Sequence, residues 1–147
     1  MTTFAPVVRE ITVSATPLRA FWVWTDQLQQ WWPFATHSVY GASSTAAFRG
    51  GVLVETGADG STCSWGTVTT WEPGRRLTMT WHPGSEPDQE TVVDVTFLET
   101  LDGGTRVTLT HTGWEKRTDA ARARADYESG WPGILDRYDR SFETADA

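Results

Sequence analysis

The sequence is nearly free of cysteine. Cys63 stands alone, so an intramolecular disulfide and a four-cysteine zinc site are both excluded. A lone thiol fits a reducing compartment, and a cytoplasmic location is expected. No apolar run approaches the ~20 residues that span a bilayer. The opening "MTTFAPVVRE" has no basic stretch followed by an apolar one, so no signal peptide is expected. Basic residues are also scarce: 12 against 19 acidic, a formal charge of −7, with no Lys/Arg cluster. Nucleic acid and anionic membranes are repelled by such a chain. Catalytic signatures are missing as well. There is no G-x-S-x-G elbow and no phosphate loop, and His37, His82 and His111 lack a ligand spacing such as H-E-x-x-H. Neither a metal nor a cofactor is expected. Cys63, inside a predicted strand, reads as a small apolar filler.

What is abundant is aromatic. Nine Trp, three Tyr and six Phe occur in 147 residues. Such rings build a tryptophan-rich core or the walls of a pocket, and the two are compatible. A chain of this length buries about 68–70% of its unfolded surface. That suffices for one domain over residues 1–147, without staples.

The hydropathy pattern orders the elements. In "VVREITVSATP" Val7, Arg9, Ile11 and Val13 alternate with Val8, Glu10, Thr12 and Ser14, a period-2 pattern with one mostly apolar face, as in a half-buried strand. Thr16-Pro17 then signals a helix start, through a capping hydroxyl and a proline at the first position. A short helix to about Trp24 follows; Asp26 is placed to cap a second, "QLQQWW", which Pro33 ends. Adjacent helix positions diverge by about 100°, so Trp31 and Trp32 are not expected to face the core together. "THSVYGASSTAA" (36–47) is irregular, with a short strand near its end. Strands then alternate with turn signals such as "GADGS" and "EPGRR". Leu77, Met79 and Trp81 share one strand face, as do Val93, Val95 and Phe97. Trp65 and Trp71 share theirs with Thr67 and Thr69 by strict alternation. Arg49 and Glu55 read as solvated strand charges, with a charged pair at a cavity mouth as the alternative. In the C-terminal third, Tyr127, Trp131, Ile134, Leu135, Tyr138 and Phe142 form one stripe of a long helix. Gly130, Pro132 and Gly133 fall inside it and predict a kink or break near "SGWPG".

The segments "FRGG" (48–51), "DGSTCSWGTV" (59–68), "PGRRLTMTW" (73–81), "GGTRVTLTHTGW" (103–114) and "YESGWPGIL" (127–135) resemble, in this order, the START/polyketide-cyclase (SRPBCC) superfamily. Within it the chain is similar to the Aha-type group, named after activators of the heat-shock protein 90 ATPase. The resemblance covers nearly the whole chain. It implies an α+β helix-grip fold: a curved antiparallel sheet of six to seven strands around a long C-terminal helix, with two short helices after the first strand. It also implies a mostly apolar cavity between sheet and helix, since members bind lipids, sterols, polyketides or hormones and a minority are cyclases or dehydratases. The eukaryotic activators carry an additional N-terminal domain that helps grip the chaperone.

Binding of a small hydrophobic molecule is thus the leading expectation, with no assigned catalytic residue. The expected lining is Trp81, Leu109, His111, Tyr127 and Trp131, with Phe48 and Met79 behind. His111 continues the apolar face of the last strand. It reads as a core histidine satisfied by backbone or hydroxyl, as a polar anchor for ligand, or as an acid–base group. Segment 36–47 is the expected mobile entrance. Two other classes stay open: a protein-interaction module for a chaperone or another protein, and a cyclase-like enzyme using His111.

Overall fold

Seven antiparallel strands and three α-helices make up the computed structural model, which describes residues 4–145. β1 (Val7–Val13) is followed by α1 (Pro17–Thr25) and α2 (Leu28–Trp31). Six strands come next: β2 (Thr45–Arg49), β3 (Val52–Thr56), β4 (Thr62–Glu72), β5 (Arg76–Trp81), β6 (Thr91–Glu99) and β7 (Thr105–Thr112). α3 (Ala120–Ala145) closes the fold. The sheet order is β1-β7-β6-β5-β4-β3-β2. Only the β1–β7 pairing joins distant parts of the chain; every other pair is a hairpin neighbour. This is the α+β helix-grip arrangement expected from the sequence, with a curved sheet around one long helix.

Register sets the inward face. Val7 and Val93 both pair with His111, and Arg9 and Val95 both pair with Leu109. Leu77, Met79 and Trp81 continue this face across β5 and are buried. In β4 the face is kept by irregularity. Register shifts near Trp65–Gly66 and at Thr69 break the alternation, and Val68 pairs with Met79 while Trp71 pairs with Leu77. The inward residues are therefore Trp65, Val68 and Trp71, three apart, rather than Trp65 and Trp71 with Thr67 and Thr69. Gly66 makes the first bulge possible. A Cβ there would lie 1.7 Å from the Thr80 carbonyl oxygen, so only glycine lets the two strands approach.

The helices dock through backbone carbonyls. Thr16 caps α1 by accepting from the Arg19 amide, with Pro17 at the first position. Asp26 terminates α1 instead of capping α2, whose N-cap is Gln27 with no side-chain bond. The Tyr138 hydroxyl donates to the Ala20 carbonyl at 2.6 Å, and Arg137 Nε donates to that of Trp31 at 2.8 Å. Together they clamp both short helices onto α3.

α3 runs without the break expected at "SGWPG". Pro132 has no N–H to give the Glu128 carbonyl, which would leave that oxygen unsatisfied. Arg9 supplies the missing donor: its Nη2 reaches from β1 to the Glu128 carbonyl at 2.9 Å. A charged partner replaces the helical bond, so the helix continues past the proline. Replacement of Arg9 by Met is expected to lower stability by about 1–3 kcal/mol through loss of this charged hydrogen bond. Gly133 is a different case. It is exposed, and a Cβ there meets nothing within 4 Å. Gly133→Ala should raise stability by up to about 1 kcal/mol; urea unfolding of both variants measures the two effects.

Candidate functional site

The space between sheet and α3 is filled by indoles. Trp32 occupies its middle, with ring centroids of Trp31, Trp65, Trp81 and Trp131 between 5.2 and 6.1 Å away. Its Nε1 donates to the His37 carbonyl at 2.8 Å. Trp31 and Trp32 are both buried, contrary to the sequence expectation. The reason is local. α2 ends at Trp31, and Trp32 is extended at φ −64°, ψ 133°, the conformation that the following Pro33 imposes. The 100° rule of a helix no longer applies at Trp32, and its ring turns inward beside that of Trp31.

Around this plug the residual interior void, lined among others by Met79, Trp81, Trp131 and Phe48, is about 10 Å³. One water needs roughly 10–15 Å³ by the same measure. Four of the seven residues expected to line a cavity therefore surround a void of at most one water, and Leu109 is fully buried in the sheet core.

His111 is fully buried, and both ring nitrogens are engaged. The Thr91 hydroxyl donates to the Trp81 carbonyl at 3.1 Å, so His111 Nε2–H donates to Thr91 Oγ1 at 2.6 Å. Trp131 Nε1 donates to His111 Nδ1 at 3.0 Å. The ring lies against Trp114 at a centroid distance of 4.1 Å and against Tyr127 at 4.7 Å. A proton on Nδ1 would face the indole N–H head-on. Burial, with a smaller contribution from the Arg117 charge, pushes the imidazole down to about 3. His111 is thus a neutral strut joining β6, β7 and α3. Gly113, at φ 85°, begins the exit turn, and Trp114 returns its indole N–H to the His111 carbonyl at 3.1 Å.

A larger space lies outside the plug. A groove of about 520 Å³ runs between segment 36–39, the end of β5 and the middle of α3. Trp32, Val39, Trp81, Tyr127 and Ile134 supply its apolar walls, and Gly130 its floor. Its lining also carries polar side chains, those of Thr36, His37, Ser38, Asp126 and Tyr127. Tyr127 Oη accepts from Trp81 Nε1 at 3.0 Å, which leaves the phenolic hydrogen available. His37 shares Nδ1 with Thr36 Oγ1 at 2.7 Å, which directs Nε2 to the groove side, toward Gly130. Burial lowers the His37 pKa below its ordinary 6.5.

Glu55 anchors the segment that forms one side of the groove, and it was misjudged from the sequence. Its carboxylate is fully buried, accepting from the amides of Val39 at 2.9 Å and Tyr40 at 2.8 Å and from Trp65 Nε1 at 2.8 Å. Burial opposes its charge, but these donations outweigh it and hold the carboxyl below its ordinary value. The sequence did carry a signal: Leu53 and Glu55 alternate with Val52, Val54 and Thr56, so Glu55 shares the inward face of Leu53. Arg49 is exposed and takes no part. His37 and Gly130 had no such signal, because neither belongs to a periodic apolar face.

Among the described residues no group of three His, Cys, Asp or Glu side chains is placed to hold a metal ion, and no helix is long and apolar enough to cross a membrane.

This fold and groove can be set beside known proteins. The family model "Activator of Hsp90 ATPase homolog 1-like protein" matches residues 14–143. The chain belongs to this Aha1-like family. Among solved structures, MLL2253 from Mesorhizobium loti superposes with a TM-score of 0.70 at 21% identity, covering 97% of this chain and 99% of that one. The Aha1 dimer from Colwellia psychrerythraea gives 0.66 at 18% identity, over 94% and 96% of the two chains. Txn09, an anthrahydroquino-γ-pyrone synthase solved in complex with a ligand, gives 0.63 at 28% identity, over 95% and 99%. No curated protein matches the sequence. The first two likenesses show the fold alone, whereas Txn09 carries the highest identity of the three.

Three outcomes test this description of the Aha1-like core. Trp32→Ala should destabilise by about 3–5 kcal/mol and open an apolar cavity, and added indole should restore part of the loss in melting temperature. Glu55→Gln should lower stability by about 1–3 kcal/mol, since charged hydrogen bonds to three N–H groups weaken. For His111 the folded pKa lies below the unfolded value. As pH falls below 6.5, the unfolded chain binds a proton that the folded chain refuses, so stability drops by up to about 1.4 kcal/mol per unit. That slope, measured by denaturation between about pH 5 and 6.5, should shrink in His111→Gln.

Proposed function

We propose that this Aha1-like protein binds a small, flat, largely apolar ligand carrying a hydroxyl or carbonyl oxygen. The site is the groove between segment 36–39 and α3, with Trp81 and Tyr127 from the original set of lining residues at its centre. The observation that carries this reading is the Tyr127 hydroxyl, whose oxygen is occupied by Trp81 while its hydrogen is unspent at an aromatic wall. Ligand sites combine apolar walls with a few oriented polar groups in this way. Trp32, Trp81 and Ile134 would cover the ligand's faces. Tyr127 O–H would donate to its oxygen, and His37 Nε2 would accept from a ligand hydroxyl. Of the other lining residues expected from the sequence, Met79, Leu109, His111 and Trp131 would support the wall from behind, and Phe48 is outside the groove's lining.

The ring system in Txn09's name is a flat, oxygen-bearing aromatic of this kind, which supports the reading at 28% identity. We favour binding over catalysis: Thr36 Oγ1 lies 2.7 Å from His37 Nδ1, but it is also within reach of the Pro33 carbonyl, and among the described residues no third group orients the imidazole as a nucleophile–base pair requires. Chaperone binding has the family description behind it but no residue-level observation.

Hydroxyanthraquinone, a flat ligand with both a hydroxyl and carbonyls, is a suitable probe. It should quench tryptophan fluorescence saturably, and Gly130→Leu, which fills the floor, should weaken binding at least tenfold. Native mass spectrometry of protein from its host should show a bound small molecule. Absence of both saturable quenching and any co-purified molecule would sink the proposal.

A further inference from the structure

A second concavity lies at the opposite end of the core and shares no residue with the groove. It is a cleft of about 450 Å³ between the C-terminal end of α1 and the β2–β3 hairpin, and Trp22, Phe48, Val68, Trp71 and Asp26 line it. Three aromatic rings meet there as a corner. The planes of Trp22 and Trp71 stand at 62° with centroids 6.2 Å apart, and Phe48 stands at 63° to Trp71 at 5.5 Å. Edge-to-face packing of this kind leaves ring faces pointing into the corner. Trp22 and Trp71 keep 39% and 41% of their surface exposed, although full burial of an indole is among the most favourable events available to a side chain. The hairpin turn is Gly50-Gly51, and a Cβ on either would meet nothing within 4 Å. The mouth is therefore open.

The electrostatics of the cleft have one sign. Asp26 is the single ionisable residue of its lining among the described residues, and that lining includes no Lys, Arg or His. Asp26 is also the C-cap of the nine-residue helix α1, so the carboxylate adds to the negative end of the helix dipole. The aromatic faces contribute the negative side of their quadrupoles. The whole protein carries −7. An anion would be repelled by each of these. A neutral ligand would be indifferent to Asp26. A soft, weakly hydrated cation satisfies all of them, because it gains from ring faces and carboxylate while losing little hydration.

We propose that this cleft is a binding site for a small alkylated ammonium ion, seated against Trp22, Trp71 and Phe48 with Asp26 as its counter-ion. The site is independent of the groove reading.

The test compares choline with its uncharged isostere 3,3-dimethylbutan-1-ol, which has the same shape without the charge. Binding is followed through the indole N–H resonances in two-dimensional NMR of the unaltered protein, with Trp22→Phe and Trp71→Phe used for assignment. Choline should shift the Trp22 and Trp71 signals saturably and leave that of the buried Trp131 unmoved. The neutral alcohol should bind at least tenfold more weakly. Asp26→Asn, an exposed and nearly isosteric change, should weaken choline at least fivefold without changing the melting temperature. Equal binding of alcohol and choline, unmoved Trp22 and Trp71 signals, or an unchanged affinity in Asp26→Asn would each overturn the proposal.

Discussion

The placement of one indole governs this molecule. Trp32 occupies the space that a sheet curved around a helix would otherwise leave empty, and its contacts reach α2, β4, β5 and α3 at once. A curved sheet and a straight helix do not close on each other without large side chains between them. Here tryptophans supply the volume, and the void between Trp32, Trp81 and Trp131 is about 10 Å³. The consequence for function is direct. A ligand of any size has to sit at the margins of the core rather than within it, as the groove and the aromatic cleft do.

Polar groups inside the aromatic mass are few and fully paired; among the described residues none is left without a partner. Each ties elements together. His111 connects β6 and β7 to α3 through Thr91 and Trp131. Glu55 connects segment 38–41 and Trp65 to β3. Arg9 repairs the hydrogen bond that Pro132 removes. Such groups are expensive to bury and strongly directional once paired. They fix which way the irregular segment and the long helix face, and in doing so they shape the groove. The second cleft has a different character. Its rings are half exposed and its one charge is solvated, so it offers a surface property rather than a strut.

Much of the fold was legible in the residue pattern. Alternation placed Leu77, Met79, Trp81, Val93, Val95, Phe97, Leu109 and His111 inward, and all are buried. The helical stripe from Tyr127 to Phe142 faces inward as its spacing required, its first half toward the sheet and its Tyr138 end onto the two short helices. Thr16-Pro17 began a helix for the reasons of capping chemistry. Less was legible about the site. The inward set was read as the lining of a cavity, but inward pointing does not distinguish a wall from a filling. That difference depends on how many large rings converge from separate elements. Trp32 arrives from beyond a helix end, where periodicity has no force. His37 and Gly130 come from a loop and from a helix position off the apolar stripe.

The sequence by itself determined the order of elements, the inward face of each regular strand and the absence of a cystine framework. Periodicity and capping act over a few residues, and a single chain displays them in full. Only the tertiary structure decided that the interior is full, that Glu55 is buried and satisfied, and that the broken alternation of β4 turns Trp65, Val68 and Trp71 to one side. Each of these depends on atoms brought together from far along the chain. Whether space remains between surfaces is a property of their packing, and no local pattern encodes it.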